Sequence, residues 1–586
     1  MIRTVHRHLL VLALFLAAAI CMTWPLAARI GTHLPHRDVS YDEFVSCWAL
    51  AWGSHKVLAR DFNGFFDGNI LYPARLTFAY SEHLLGYLPI VLPVYGLTGN
   101  IVLARNLCHL INFVLVGYFT YCLVRRLGAG DGAAVFAGLA MAFVPHRFQQ
   151  WHHLSLSGFE WTPLALLCLH RLVDRPGLLR GLAAGAAVGM QTLVGLYLGA
   201  ALCLVSVLFV VCVAPVTGTW RRGRFWAGLG AAVAVVALAN APLVAPYVQA
   251  RRAFGPAQVR LGTVAQGSAE PRDFGRVPET NRLLPMMGLP TERRTEHVAW
   301  PGAVVGVHAL IGIVVVLRRR GVRRRGLFYL VAGVVFLVLS LGPMIRVNGD
   351  TVTGPYRILM NLLPPIRGIR APARMTVFVS LCLAVLAGWG AAAVTRRLKR
   401  RAARAAYVAV VSVLVLAEFC SVPLPTIDAR IDADARDLCA WLRAQGGRPI
   451  IAHVAPRPRS LRRDLLARQE YVTYLSTFHW QRLVGGHTSF VPRGYDRIRE
   501  DLDAFPMSRS VDQMQALGVT WCIVHTASPA APSTGPRLTP AKRFGTIHVF
   551  AVKPLGGGRE VSRAPGAPPL SPAQAPGLGI TGHGGA

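Results

Sequence analysis

Long apolar runs dominate this chain and set its predicted architecture. A transmembrane helix needs about 20 apolar residues, because the hydrocarbon core of a bilayer is about 30 Å thick. Eleven runs approach that length, and they predict an all-α polytopic membrane protein with about eleven transmembrane helices. The runs lie near residues 9–28, 101–124, 132–147, 157–173, 178–195, 196–216, 225–246, 300–317, 326–343, 375–395 and 405–423.

The first run has the basic start of a signal peptide. Its end, Trp24-Pro25-Leu26, lacks the small residues of a cleavage site, and many further runs follow. We therefore interpret it as an uncleaved first helix.

The stretch 178–216 decides how often the chain crosses the membrane. It is too long for one helix, and Gly195-Leu196-Tyr197 favours a turn between two short ones. Counted as two, it brings the main arginine clusters to one side, which the positive-inside rule makes cytoplasmic. The clusters are Arg3/Arg7, Arg125/Arg126, Arg171/Arg175/Arg180, Arg221/Arg222/Arg224, 318–325 and 396–404.

This topology predicts the domain organisation. Residues 1–423 form a multispan domain in the inner (plasma) membrane, with a cytoplasmic amino terminus and a large first outer loop, 29–100. Residues 424–555 form a small extracytoplasmic α/β domain, because the short apolar strands near 450–454, 519–525 and 546–552 alternate with amphipathic helices. Residues 556–586 are rich in Gly, Pro, Ala and Ser, which predicts a disordered tail.

Composition supports a membrane protein and disfavours nucleic-acid binding. Hydrophobic residues make up 53% of the 586 residues and charged ones only 15%, against about 25% in soluble domains. The net charge of +34 comes mostly from arginines between the apolar runs. Such arginines orient a membrane protein, so the charge does not predict a nucleic-acid partner.

The first outer loop carries the clearest candidate chemistry. A general base that meets a lipid-borne substrate must lie near the membrane surface, and carboxylates just beyond the first span do so. Tryptophans there can anchor an interface or stack on a sugar ring. The candidate base is Asp42, with Asp38 and Glu43 as alternatives, and the candidate substrate-binding residues of this loop are Trp48, Trp52, Glu82 and His83.

Two basic stretches near the membrane surface are candidates for binding a phosphate. The first places Arg147 beside the histidines of 146–153, and His152 and His153 are predicted to bind substrate. Adjacent histidines on a helix point about 100° apart, so we assign no metal site to them, although a divalent metal stays open as a cofactor. The second stretch, kept non-helical by prolines, supplies Arg367, Arg370 and Arg374.

These stretches together resemble the bacterial integral-membrane glycosyltransferases of the GT-C superfamily, including those similar to polyprenyl- or dolichyl-phosphate-sugar transferases and lipid A core galacturonosyl transferases. The likeness is scattered from about residue 38 to 526. It rests on Asp42-x5-Trp48-x3-Trp52, Asn69-Ile70-Leu71-Tyr72-Pro73, Tyr80-Ser81-Glu82-His83-Leu84-Leu85-Gly86, Pro145-x-Arg147, Arg370-x-Pro372-Ala373-Arg374, Ser476-Thr477-Phe478-His479-Trp480, Phe505-Pro506 and Leu517-Gly518-Val519 with Val524-His525.

The resemblance implies a cell-envelope enzyme that takes a sugar from a polyprenyl-phosphate donor to a glycan, lipid or protein acceptor outside the cytoplasm. By its spacing from the tryptophan pair, Asp42 matches the family's loop aspartate. Related chains often have glycine before that aspartate, whereas Tyr41 stands here, so the base stays open among Asp38, Asp42 and Glu43.

Two other functions are compatible with the sequence. One is transport or flipping of a lipid-linked or small polar substrate, but transporters usually bury charged groups at mid-membrane, and only His308 and Glu418 come near. The other is a non-catalytic scaffold with the same fold. The resemblance makes us favour the enzyme.

Overall fold

The computed structural model describes residues 2–37, 41–254, 261–347, 350–362, 368–454, 469–526 and 535–555. Two candidate site residues, Asp38 and Arg367, and the predicted disordered tail 556–586 lie outside the described residues.

Every predicted apolar run coincides with helix. The helices that carry these runs are Ile2–Met22, Ile101–Arg126, Asp131–Ala142 with Pro145–Gln149, Trp161–Asp174, Leu178–Val194, Leu196–Thr217, Gly223–Phe254, Ala303–Arg318, Arg320–Ser340, Thr376–Arg397 and Arg401–Glu418. Five stretches within the described residues are long and apolar enough to cross a membrane: Thr4–Met22, Ile101–Arg126, Leu196–Thr217, Gly223–Ala253 and Pro372–Arg397. The chain is thus a largely helical membrane protein, and eleven crossings stay a prediction.

The stretch 178–216 is interrupted where the sequence predicts a turn. One helix ends at Val194, Gly195 has extended backbone, and the next helix begins at Leu196. A side chain at Gly199 would collide with Thr192, so the two helices approach closely beside the break. Gly199 permits this close approach, because it has no Cβ.

One end of the helical layer is held together by arginine–aspartate ion pairs. Two aspartates at helix ends each bind arginines from other helices, which brings several of the predicted clusters to one side. The pairs are Arg7 and Arg125 with Asp131, and Arg126 and Arg325 with Asp174.

The opposite end joins the beginning and the end of the membrane region. Strand His33–Pro35, after the first helix, pairs antiparallel with strand Thr426–Asp428, after the helix Arg401–Glu418. The loop 29–100 and the carboxyl-terminal region therefore lie on the same face of the helical layer.

A five-stranded mixed sheet forms the centre of the carboxyl-terminal region. Its strands, in spatial order, are Leu538–Phe544, Ile547–Val552, Trp521–His525, Ile450–Val454 and Arg482–Leu483. The last three run parallel and the first three antiparallel. Three of the strands match predicted ones, whereas Leu538–Phe544 and Arg482–Leu483 are additional.

One face of this sheet does not face water. Ile451, Leu483 and Ile523 are completely buried, and they belong to the same apolar cluster as Trp48 and Phe44 of the first loop. The first loop and the carboxyl-terminal region thus share one hydrophobic core. Whether residues 424–555 behave as a separate domain stays a prediction.

The remaining described elements are short and lie between these. The helices are Asp42–Leu58, Leu88–Thr98, Leu154–Ser157, Leu261–Gln266, Pro355–Leu362, Ala433–Ala444, Gln469–Leu475, Tyr495–Leu502 and Ser508–Ala516. Two further small sheets pair Val277–Pro278 with Thr291–Glu292 and Met344–Val347 with Asp350–Thr353.

The shared face predicts a labelling pattern. Met507, in the carboxyl-terminal region, is 57% exposed, so the Met507→Cys variant should react in intact cells with a membrane-impermeant maleimide. The Arg320→Cys variant, at an exposed position near the arginine–aspartate end, should react only after permeabilisation. The parent protein, with its native cysteines, is the control. The predicted orientation is wrong if intact cells label Arg320→Cys and leave Met507→Cys unlabelled.

Candidate functional site

Asp42 begins the helix Asp42–Leu58, where the helix dipole stabilises a negative charge. Its carboxylate is 35% exposed, and one oxygen lies 3.4 Å from His153 Nε2. The other oxygen lies 3.8 Å from Nε2 of His487, a residue of the carboxyl-terminal region. Asp42 is therefore an accessible carboxylate at the junction between the first loop and that region.

Arg370 supplies the positive charge of this site. Its side chain is exposed, its guanidinium carbon lies 4.9 Å from the centre of the Phe490 ring, and no carboxylate of a described residue lies within 4.0 Å of it. Partial desolvation of the guanidinium by surrounding protein and the neighbouring Arg374 lower the pKa of Arg370, while the charge of Asp42 opposes that shift. The donor groups of Arg370 are thus available to an anion near Asp42.

Arg374, in contrast, already has an anionic partner. Its Nε and Nη2 both donate to one oxygen of Glu296, at 2.9 and 2.6 Å. This pair joins the segment before the helix Thr376–Arg397 to the segment that carries Glu296.

His152 and His153 lie in a non-helical turn, so the helical spacing that argues against a joint role does not apply. Their ring centres are 4.0 Å apart. His152 is completely buried, yet neither ring nitrogen has a hydrogen-bond partner among the described residues. Burial lowers the pKa of His153 to about 3 and that of His152 well below the ordinary value. Both rings are therefore neutral near pH 7.

These two rings and Asp42 could hold a divalent cation. One ligand atom from each of the three residues lies within 4.8 Å of the others. Neutral imidazole nitrogens and a carboxylate suit ions such as Zn²⁺ or Mn²⁺. A bound cation would also give a partner to a buried His152 nitrogen, which has none among the described residues.

The alternative base Glu43 points in the other direction. It is completely buried, and one oxygen lies 2.6 Å from His36 Nδ1. Burial raises the pKa of Glu43. Its carboxylate is part of the packing beneath Asp42 rather than of the accessible site.

Arg147 is completely buried, away from any accessible surface. It donates to Asn112 Oδ1 at 2.5 Å, to the Ser157 carbonyl at 3.0 Å and to the Ala142 carbonyl, and it lies 4.1 Å from the Phe113 ring centre. These protein groups occupy the donors that a lipid phosphate would need. The structure gives Arg147 the role of an internal brace instead of the predicted phosphate-binding role.

Trp48 and Trp52 are core residues. Trp48 is completely buried and donates from Nε1 to Asn69 Oδ1 at 2.9 Å. Trp52 is 6% exposed and donates to the Phe65 carbonyl at 2.8 Å. Neither indole face is open to a sugar, because helical spacing packs both rings against the rest of the loop.

Glu82 and His83 stabilise the loop. A Glu82 oxygen accepts from the Leu196 N–H at 2.7 Å and so caps the helix that begins there. His83 is 1% exposed, and its Nδ1 accepts from the Leu85 N–H at 3.1 Å. Burial lowers the pKa of His83 to about 3, so its ring is neutral. These contacts describe structural roles for both residues.

Three further residues around Asp42 are not predicted from the sequence: His487, Glu470 and Arg105. His487 faces Asp42 and is oriented by Glu470, whose oxygen lies 3.4 Å from His487 Nδ1. Arg105 lies inside an apolar run, where it looks like an interruption. Only the fold brings them to this place.

The helical layer, with an accessible carboxylate at the start of the first loop's helix, has the fold of the GT-C glycosyltransferases. It is similar to the mycobacterial arabinofuranosyltransferase AftD, with TM-score 0.59, 14% identity, and coverage of 94% of this chain and 40% of that one. It is also similar to the Archaeoglobus fulgidus oligosaccharyltransferase, with TM-score 0.51, 13% identity, and coverage of 88% and 69%.

The chain belongs to the family described as a domain of unknown function, DUF6311, whose model matches residues 102–418. No curated protein matches the chain. The chain spans only about 40% of the length of the arabinofuranosyltransferase, so the likeness defines the fold of the shared part.

The three-residue cluster predicts cation binding with a particular pH dependence. Zn²⁺ or Mn²⁺ should bind the purified protein, and His152→Ala should weaken binding at least about tenfold, as expected for loss of one ligand. The lowered pKa values keep both rings neutral, so protons should not compete with the cation for the ring nitrogens. The affinity for the cation should therefore stay nearly constant between about pH 8 and 5.5. Isothermal titration measures both effects. His33→Ala is the control, and unchanged binding in His152→Ala would exclude the cluster.

Proposed function

We propose that this chain is a membrane glycosyltransferase that moves a sugar from a polyprenyl-phosphate donor to an acceptor outside the cytoplasm. The observation that carries the proposal is the presence of an accessible carboxylate, Asp42, and an accessible guanidinium, Arg370, close enough to influence each other's charge. The shared fold of two sugar transferases supports the same class of reaction.

The proposed reaction uses these two charges in different ways. The donor phosphate binds Arg370, with the lipid tail in the adjacent membrane. Asp42 takes the proton of an acceptor hydroxyl, whose oxygen forms a bond to the anomeric carbon. The bond between that carbon and the phosphate oxygen breaks, and the lipid phosphate leaves with the electron pair. Base catalysis of this kind contributes about 10²–10⁴-fold.

A divalent cation held by Asp42, His152 and His153 would supply further positive charge for a developing phosphate anion. Asp42 would then be a ligand rather than the base. The two roles differ in one measurable respect, because only a ligand role makes transfer depend on the added metal.

Glu43 is less suited than Asp42 to accept the proton, because its side chain is buried against His36. Arg374 is similarly committed to Glu296. Both residues support the site from behind, and we assign the contact with substrate to Asp42 and Arg370.

The first test replaces Asp42. Asp42→Asn should reduce sugar transfer by at least about 10²-fold while the protein still folds, because the amide can neither accept the proton nor fully replace a carboxylate ligand. Transfer of radiolabelled sugar from extracted polyprenyl-phosphate donors to membrane acceptors measures the effect. Asp61→Asn, at an exposed carboxylate beyond the same helix, is the control. Full activity in Asp42→Asn would remove Asp42 as base and as essential ligand.

The second test replaces Arg370. Arg370→Ala should raise KM for the lipid donor about tenfold or more, the loss expected for a charge-assisted contact to phosphate, with a smaller effect on kcat at saturating donor. Arg482→Ala is a matched control, because Arg482 also lies over an aromatic ring, Tyr72, at 5.8 Å. A lower kcat with unchanged KM would contradict a donor-binding role.

A further inference from the structure

Arg105 is a completely buried arginine in the outer end of the helix Ile101–Arg126. It touches neither solvent nor the accessible surface of the candidate site. Burial of an arginine is costly unless its donors are used, so its contacts indicate what it does.

The guanidinium joins two separate segments. Nε donates to Ser46 Oγ at 2.8 Å, and Nη2 donates to the His152 carbonyl at 2.8 Å. Ser46 lies one turn after Asp42 on the same helix, and its hydroxyl in turn donates to the Glu43 carbonyl at 2.7 Å. Arg105 therefore links the first turn of Asp42's helix to the backbone of the histidine turn.

The rigid shape of the guanidinium gives this link a defined length. Its donors are coplanar and fixed relative to one another, unlike the single ammonium of lysine. Nε and Nη2 carry the two bonds, whereas the buried Nη1 has no hydrogen-bond partner among the described residues. Together these contacts set the separation between the Asp42 carboxylate and the His152–His153 pair.

We infer that Arg105 is a positioning residue that holds the Asp42 helix and the His152–His153 turn at the separation the site requires. As a statement about catalysis, this inference rests on the proposed glycosyltransferase function. The positioning of the two segments rests only on the two hydrogen bonds of Arg105. The positioning and the effect on catalysis can therefore be tested separately.

The test compares Arg105→Lys with Asn106→Ala. Lysine keeps the charge but cannot make both contacts. Asn106, the next residue on the helix, is also completely buried and also donates two hydrogen bonds, in its case to the backbone carbonyls of Ile30 and His33. Asn106→Ala therefore controls for lost stability without touching Ser46 or His152, and the melting temperature of each variant is measured.

Two readouts are used. In Arg105→Lys, kcat should fall about 10–100-fold with KM for the donor nearly unchanged, since small misplacements of reacting groups are that costly. Carbethoxylation of His152 by diethyl pyrocarbonate, followed by mass spectrometry, should become about tenfold faster, because one net hydrogen bond, about 1.4 kcal/mol, no longer holds the turn. Asn106→Ala should change neither readout to this extent.

The remaining outcomes distinguish failure of the inference about Arg105 from failure of the proposed function. Unchanged labelling of His152 in Arg105→Lys overturns the inference, whatever the activity. Faster labelling with a kcat equal to that of Asn106→Ala overturns the role in catalysis. If the parent protein transfers no sugar, the proposed function fails, and the labelling alone decides whether Arg105 holds the two segments together.

Discussion

The burial of the first outer loop against the carboxyl-terminal sheet is the interaction on which the site depends. Trp48 and Phe44 pack in the same apolar cluster as Ile451 and Ile523, although more than 400 residues separate them in the chain. Removing this much apolar surface from water is the main favourable term in holding the two parts together. Because Asp42 begins the helix that carries these rings, the packing also fixes where its carboxylate emerges.

Below that surface, polar contacts set the finer geometry. Arg105, Glu43 and Arg147 are all completely buried. Arg105 and Arg147 each join the helix Ile101–Arg126 to a neighbouring segment, and Glu43 contacts His36 within the first loop. Buried charges of this kind are tolerated only where hydrogen bonds and opposite charges compensate them. The accessible charges, Asp42 and Arg370, are distinct from these buried groups.

Several predicted site residues have structural roles, for a common physical reason. Residue type and proximity to the membrane surface identify groups able to bind phosphate or sugar, but not the direction of a side chain. Arg147 and Arg370 look alike in sequence, yet Arg147 is buried with donors bound to protein groups, whereas Arg370 is exposed. Trp48 and Trp52 satisfy both an interfacial and a core pattern, and packing against Asn69 and Phe65 places them in the core.

The sequence by itself determined that the chain is helical and membrane-embedded, where its helices lie, and that Asp42 belongs to a loop able to carry chemistry. Those features follow from local rules, since run length, glycine position and arginine clusters act over a few turns of chain. Only the tertiary structure decided that His487 faces Asp42, that His152 and His153 turn toward it, and that Arg105 links them. These contacts join residues that are far apart in the chain, and no local pattern encodes such distances.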